Sequence, residues 1–172
     1  PFSVAGWKDL PPGELEARGL NRSAVHTDVV VGGPAAAALW RIREDGAGLG
    51  GRTPGGAPAW PGWEDAAVPP DRLGDYLRAF ESLLADHRLD ALVYGHFGDG
   101  CVHARIDFPF GARPGIFREF VEAAADVVVS FGGSLSGEHG DGRARSELLP
   151  RMYSTRAIEL FGAVKHLFDP QS

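Results

Sequence analysis

The chain has 172 residues, 44% of them hydrophobic and 23% charged, with a net charge of −6. That composition suits one globular domain with a sizeable core and excludes wholesale disorder. The negative balance argues against nucleic-acid binding, which needs a basic surface to neutralise phosphates. One cysteine, Cys101, excludes an internal disulfide framework and any cysteine-cluster metal site within the chain. No apolar run approaches the roughly 20 residues that span a bilayer. Pro1-Phe2-Ser3-Val4 lacks the charged and apolar regions of a signal peptide. The expected location is cytoplasmic, with peripheral attachment to a membrane as the alternative.

Residues 1–24 are polar and interrupted by Pro11-Pro12-Gly13, and read as an irregular lead-in to a domain over residues 25–172. Val25–Val31 is β-branched and reads as a strand. Pro34 opens an Ala-rich helix to Glu44, because its missing N–H is not needed in a first helical turn. A Gly/Pro-rich loop, Gly46–Gly62, follows. Its GAGLGG matches the dinucleotide pattern G-x-G-x-x-G, but a helix precedes it and proline-rich loop follows, so it is not that fingerprint.

Glu64–Val68 reads as a short strand closed by Pro69-Pro70. Asp71–His87 carries Leu73, Tyr76, Leu77, Phe80, Leu83 and Leu84 on one face, an amphipathic helix. Ala91–Phe97 and Cys101–Phe108 alternate and read as two antiparallel strands. Ile116–Phe131 is a second amphipathic helix, stopped by Gly132-Gly133. Helical pieces over Ser146–Tyr153 and Ser154–Phe168 complete the chain. The mixture of helices with adjacent antiparallel strands is of the α+β class.

The stretch Tyr94-Gly-His-Phe-Gly-Asp-Gly-Cys-Val-His-Ala-Arg105 carries the chemistry. A two-residue type I′ turn at Asp99-Gly100 sets His96 opposite His103, with Cβ atoms about 4.5–5.5 Å apart. Tyr94, His96, His103, Arg105 and Asp107 then line one face, and Val93, Phe97, Val102, Ala104, Ile106 and Phe108 the other. Two imidazoles at that separation can share a divalent metal. Alternatively, they are a histidine pair on a solvated strand face. A second glycine-rich segment, Gly132–Gly142, contains Ser136-Gly137-Glu138-His139-Gly140-Asp141-Gly142. Two histidines plus one carboxylate form a known ligand set for zinc and non-haem iron. His139 is then left as a base whose ordinary pKa suits proton transfer at neutral pH. The alternative for Glu138-His139 is a loop that merely caps the next helix.

GHFGDGCVH and GGSLSGEHGDG, in that order, resemble the two signatures of the C-terminal domain of FAD-linked oxidases. That family lies within the vanillyl-alcohol oxidase superfamily, in the branch with D-lactate, glycolate and D-2-hydroxyglutarate dehydrogenases. The resemblance implies an antiparallel sheet flanked by helices, ferredoxin-like in character. It also implies an FAD-binding domain N-terminal to this segment on the same polypeptide, without which the chain is expected to be inactive. His96, His103 and Glu138 match the metal ligands of the family, the metal being zinc, iron or manganese, and His139 its catalytic base. Arg43 resembles an arginine that grips the carboxylate of a small 2-hydroxy acid, and Arg105 falls where members carry a substrate-contacting residue. Cys101 stands where many members have asparagine, and Trp63 where some have a substrate-binding lysine. With WEDAAVPP and GDGRARSELLPRMY, Cys101 points to the subgroup fused to an iron–sulfur domain.

Two other readings remain open at this stage: a self-contained non-haem iron oxygenase with the same His, His, Glu set, and a non-catalytic protein-binding module. The chain has no G-x-S-x-G elbow and no G-x-x-x-x-G-K-[ST] loop, which disfavours a serine hydrolase and an NTPase.

Overall fold

The computed structural model describes residues 33–45 and 50–171, apart from the side chains of Ile42 and Arg43. The expected lead-in and the strand over Val25–Val31 lie outside the described residues. The chain divides into two compact units, Pro1–Leu49 and Gly50–Ser172. In the first, helix α1 spans Gly33–Glu44 with Pro34 in its first turn, as the sequence suggests. The second unit contains, in order, β1 (Trp60–Ala67), α2 (Leu73–His87), β2 (Ala91–Tyr94), β3 (Cys101–Ile106), α3 (Ile116–Ser130), the single turn α4 (Gly142–Arg145) and α5 (Thr155–Phe168). Short 3₁₀ turns at Pro70–Arg72, Phe97–Asp99 and Ser146–Arg151 join them. The class is α+β.

The strands form an antiparallel sheet in the order β1-β3-β2. Because β3 lies between β1 and β2, the β1–α2–β2 passage crosses over a strand position, the split β-α-β arrangement. Ser134 bridges Ala67 on the other edge of β1. Among the described residues, that bridge is all that stands where a ferredoxin-like sheet has its fourth strand.

Period-2 alternation along β3 sends Val102, Ala104 and Ile106 to one face, where they are buried with Trp63 and Ala66 of β1. The two amphipathic helices cover this face. Of the apolar stripe read on α2, Tyr76, Phe80 and Leu84 are fully buried, and Leu73, Leu77 and Leu83 pack at its margin. From α3 come Phe120, Ala124 and Val128, with Phe120 edge-on to Phe80 at 5.9 Å. Trp63 belongs to this core, and its Nε1–H donates to the Tyr76 hydroxyl at 2.8 Å. Its indole is therefore part of the packed layer beneath the sheet. At the end of α3, Gly132 takes φ +72° and the Gly133 N–H returns to Val128 O at 3.0 Å, so the helix stops where the sequence indicates.

Element ends differ from the sequence reading in several places. Strand β1 begins at Trp60, inside the segment read as loop, and the helix read from Ser146 is a 3₁₀ stretch over Ser146–Arg151, preceded by the turn α4. The largest difference is the hairpin. Tyr94, not His96, stands opposite His103, and Val93 opposite Ala104. A type I′ turn needs positive φ at both central residues. Gly100 has it at +76°, but Asp99 does not.

Residues 95–100 instead form a longer connection in which the His96 carbonyl accepts from the Asp99 and Cys101 N–H groups. Gly100 is committed to the end of β1, since its carbonyl accepts from the Val68 N–H at 3.0 Å. The resulting slip is two residues, an even number. Tyr94, His103 and Arg105 therefore keep a common face and the core face is preserved.

A Cβ on Gly100 would fall inside contact distance of the Val68 carbonyl at a backbone conformation that L residues avoid. Gly100→Ala should therefore cost about 2 kcal/mol or more. Urea denaturation checks this, and an unchanged midpoint would show that the β1 end moves aside freely.

Candidate metal centre

The site is built on the opposite face of β3 and begins with a mismatch in the sheet. Trp63 stands opposite Ala104 and Ala66 opposite Val102, so Glu64 and Asp65 both face the single residue His103. This is a β-bulge, a device that re-aims side chains near functional sites. Asp65 takes φ +73°, a left-handed conformation that aspartate tolerates better than most residues.

Both bulge residues reach the buried His103 ring. Glu64 Oε2 and the Asp65 N–H each lie 3.1 Å from its Nδ1. One nitrogen cannot donate to the first and accept from the second together. When Nε2 is needed as a free lone pair, the proton sits on Nδ1 and goes to Glu64, the usual second partner of a metal-ligating histidine. The Glu64 hydrogen bond raises the proton affinity of His103 above that of an ordinary imidazole, outweighing the opposing effect of burial.

The second arm is the glycine-rich segment after α3. Ser134 and Ala67 exchange two main-chain hydrogen bonds at 2.7 and 3.0 Å, and the Gly137 N–H donates to Asp65 O at 2.7 Å. A Cβ on Gly137 would lie 2.9 Å from the Ala67 Cβ, so glycine permits this close approach. The Asp65 carboxylate is fully buried. It accepts from the Ser136 hydroxyl, from the Glu138 N–H at 3.1 Å, from the His139 N–H at 2.8 Å and from the Cys101 thiol at 3.5 Å. Burial alone would raise its pKa, but these donors hold it down to about 2. Glu138 and His139 are thus pinned to β1 rather than spent on capping the next helix. Cys101 is buried and pushed up to about 12 by that burial and by Asp65, which makes it a thiol donor and not a nucleophile.

Three imidazoles converge on one oxygen. The Nε2 atoms of His96, His103 and His139 lie 3.4, 3.6 and 3.5 Å from Glu138 Oε1. His139 stacks on His103 with ring centres 5.3 Å apart. His96 approaches edge-on at 6.3 Å, from the 95–100 connection rather than from a strand. His103 is almost wholly covered, whereas His96 and Glu138 are partly exposed and His139 is 55% exposed. A cleft of about 290 Å³ opens beside them, lined by His96, Asp99, Cys101 and Glu138.

Imidazole nitrogens with a carboxylate are the donor chemistry of zinc, iron and manganese. The set His96, His103 and Glu138 fits such a cation, with the Nδ1 of His103 already backed by a carboxylate. A second grouping, Asp65, Cys101, His103 and Glu138, has donor atoms within 4.8 Å of one another. Its members are less suited: Asp65 is occupied by four donors and Cys101 keeps its proton.

Arg105 shares the face of His103, two residues along β3, with its Nε 3.5 Å from the Tyr94 hydroxyl. Tyr94 in turn lies against the His103 ring at 5.3 Å. The Arg43 side chain lies outside the described residues. Glu64 and Asp65 do not stand out in the sequence. An acidic pair inside a short strand gives no signal of a bulge, and the only hint is polar residues at both phases of the alternation.

A family model for FAD linked oxidases, C-terminal domain, matches residues 14–172. The chain belongs to this family. It is similar to proteins named D-2-hydroxyglutarate dehydrogenase, from Haemophilus influenzae, with 31% identity over 141 residues, 81% of this chain and 14% of that protein. It is similar also to a D-lactate dehydrogenase of Archaeoglobus fulgidus, 35% identical over 63% of this chain and 24% of that protein. Glycolate oxidase subunit GlcD of Bacillus subtilis is 27% identical over 63% of this chain and 24% of its own length. This FAD-linked oxidase domain thus spans a quarter or less of those relatives. No helix among its described residues is long and apolar enough to cross a membrane.

The depressed pKa of Asp65 carries a pH signature. Its stabilising contribution is present above the ordinary carboxylate value near 3.9 and is lost as pH falls toward about 2. The contribution is on the order of 2 kcal/mol. Urea unfolding of the parent and Asp65→Asn should differ at pH 6 and converge near pH 2. A constant difference across that range would contradict the assignment.

Proposed function

We propose that this domain is the substrate half of an FAD-dependent 2-hydroxy acid dehydrogenase, acting on a small acid of the D-2-hydroxyglutarate, D-lactate or glycolate kind. The observation that carries the reading is the convergence of three imidazole Nε2 atoms on one carboxylate oxygen at 3.4–3.6 Å, beside a cleft. Family membership and the names of the relatives supply the reaction class. They favour it over a self-contained iron oxygenase or a binding module.

In this reading His96, His103 and Glu138 hold a divalent cation, and Glu64 orients His103 through Nδ1. The cation supplies Lewis acidity that lowers the pKa of the substrate hydroxyl, and FAD supplies the hydride acceptor. His139, the most exposed of the three imidazoles, takes the hydroxyl proton at a ring nitrogen. Its Nδ1 lies 3.9 Å from the buried Asp65 carboxylate. Arg105 orients the substrate carboxylate by paired hydrogen bonds. The FAD-binding domain, and an iron–sulfur domain as electron outlet, belong to other parts of the same polypeptide. The chain alone is expected not to turn over.

In the full-length protein, His96→Ala should deplete metal and activity together, and stoichiometric metal in that variant would show the wrong ligand was named. His139→Gln should lower kcat by about 10²-fold or more while flavin and metal contents stay near parent levels. Unchanged turnover removes His139 as the base.

A further inference from the structure

We propose that Asp65 is the positioning residue that holds the two arms of the centre in register, and that it does so as a hydrogen-bond acceptor, not as a ligand. The inference rests on the metal reading above and concerns a residue which that reading leaves without a role of its own in assembly.

Every polar group of Asp65 touches one arm or the other. Its N–H lies 3.1 Å from His103 Nδ1, on the strand arm, as a neighbour and not a donor when that nitrogen gives its proton to Glu64. Its main-chain carbonyl accepts from Gly137 at 2.7 Å, and its carboxylate from Ser136, Glu138 and His139, on the loop arm. The thiol of Cys101, at the start of β3, completes the set at 3.5 Å. A carboxylate has about four lone-pair sites, and these donors account for them. Ligation of a cation would require giving up the contacts that fix the loop.

The side-chain directions of Glu138 and His139 follow from their backbone, and the backbone is held by those two N–H bonds. A centre of this kind tolerates misplacement of only about 0.5 Å before its geometry degrades. A bulge residue in the left-handed conformation is what allows one side chain to turn from the sheet toward the loop while its backbone stays in β1 opposite His103. The amide of Asn has the same shape and opens no cavity. It would, however, set an NH₂ against N–H, O–H and S–H donors, leaving buried donors without acceptors.

The test uses Asp65→Asn in the full-length polypeptide, with Ser136→Ala as a second variant that removes one donor from the same carboxylate. Two quantities are read: amide hydrogen exchange resolved over residues 134–141 and over α2 and α3, and the affinity for Zn²⁺ or Mn²⁺ titrated into chelator-treated protein. Asp65→Asn should exchange faster at Glu138 and His139, with α2 and α3 unchanged. It should bind the metal about 10–100-fold more weakly, with flavin content retained. Ser136→Ala should move both quantities in the same direction by less.

Parent-like exchange at Glu138 and His139, or parent-like metal affinity, in Asp65→Asn overturns the proposal. Faster exchange throughout α2 and α3 also overturns it, because Asp65 would then maintain the whole fold. If Asp65→Asn does not accumulate as folded protein, Ser136→Ala decides by the same criteria. A parent protein that binds neither ion defeats the metal reading, whereas the exchange result judges Asp65 by itself.

Discussion

Two residues of β1 face one residue of β3, and the placement of Glu64, of Asp65 and, through the Asp65 carboxylate, of Glu138 and His139 depends on that mismatch. In a regular ladder Glu64 and Asp65 would project to opposite faces, one of them into the core beside Trp63 and Ala66. The bulge lets Glu64 meet the His103 ring while the Asp65 carboxylate turns toward the glycine-rich loop. The cost is a left-handed backbone at Asp65, of order 1–3 kcal/mol for a non-glycine residue. Several hydrogen bonds to one buried carboxylate offset it. Strain of this kind persists where the surroundings over-determine it, which is the case here.

The remainder of the domain is a division of labour between the two faces of one strand. On β3, Val102, Ala104 and Ile106 fix the sheet against α2 and α3, and Cys101, His103 and Arg105 point the other way. The packed layer gives His103 a rigid seat. The residues that meet it, His96, Glu138 and His139, come from glycine-bearing connections, where the backbone can approach closely and re-aim side chains. This is the common arrangement of a rigid scaffold with functional loops. The loops are not loose, because Gly100 is bonded to Val68 and Ser134 to Ala67 at the same end of β1.

Electrostatics follow from the same arrangement. Glu64, Asp65 and Glu138 bring three carboxylates among three imidazoles, with Asp99 at the edge of the cleft. Asp65 is compensated by main-chain and hydroxyl donors and stays ionised. Glu64 is matched to His103. Glu138, partly exposed with all three Nε2 atoms around it, is the carboxylate with capacity to serve a cation. Basic groups lie at the margin: Arg105 farther along β3, beside Tyr94, and Arg145, which donates to the Glu64 main-chain carbonyl.

Much of the fold was legible in the chain itself. Apolar residues at 3.6-residue spacing determined α2 and α3, leucine and aromatics in the first and Ile, Phe, Val and Ala in the second, and Gly132-Gly133 determined where α3 ends. Alternation determined the two faces of β3, so the common face of Tyr94, His103 and Arg105 survived a two-residue error in register. The glycine-rich motifs carrying His96, His103, Glu138 and His139 were readable for the same reason: residue type and spacing are local properties. The bulge, the left-handed Asp65 and the turn around His96 were decided only by tertiary structure. Each depends on contacts between segments about 32 to 74 residues apart, and no local preference in Glu-Asp-Ala-Ala or Asp-Gly states which distant donors will arrive.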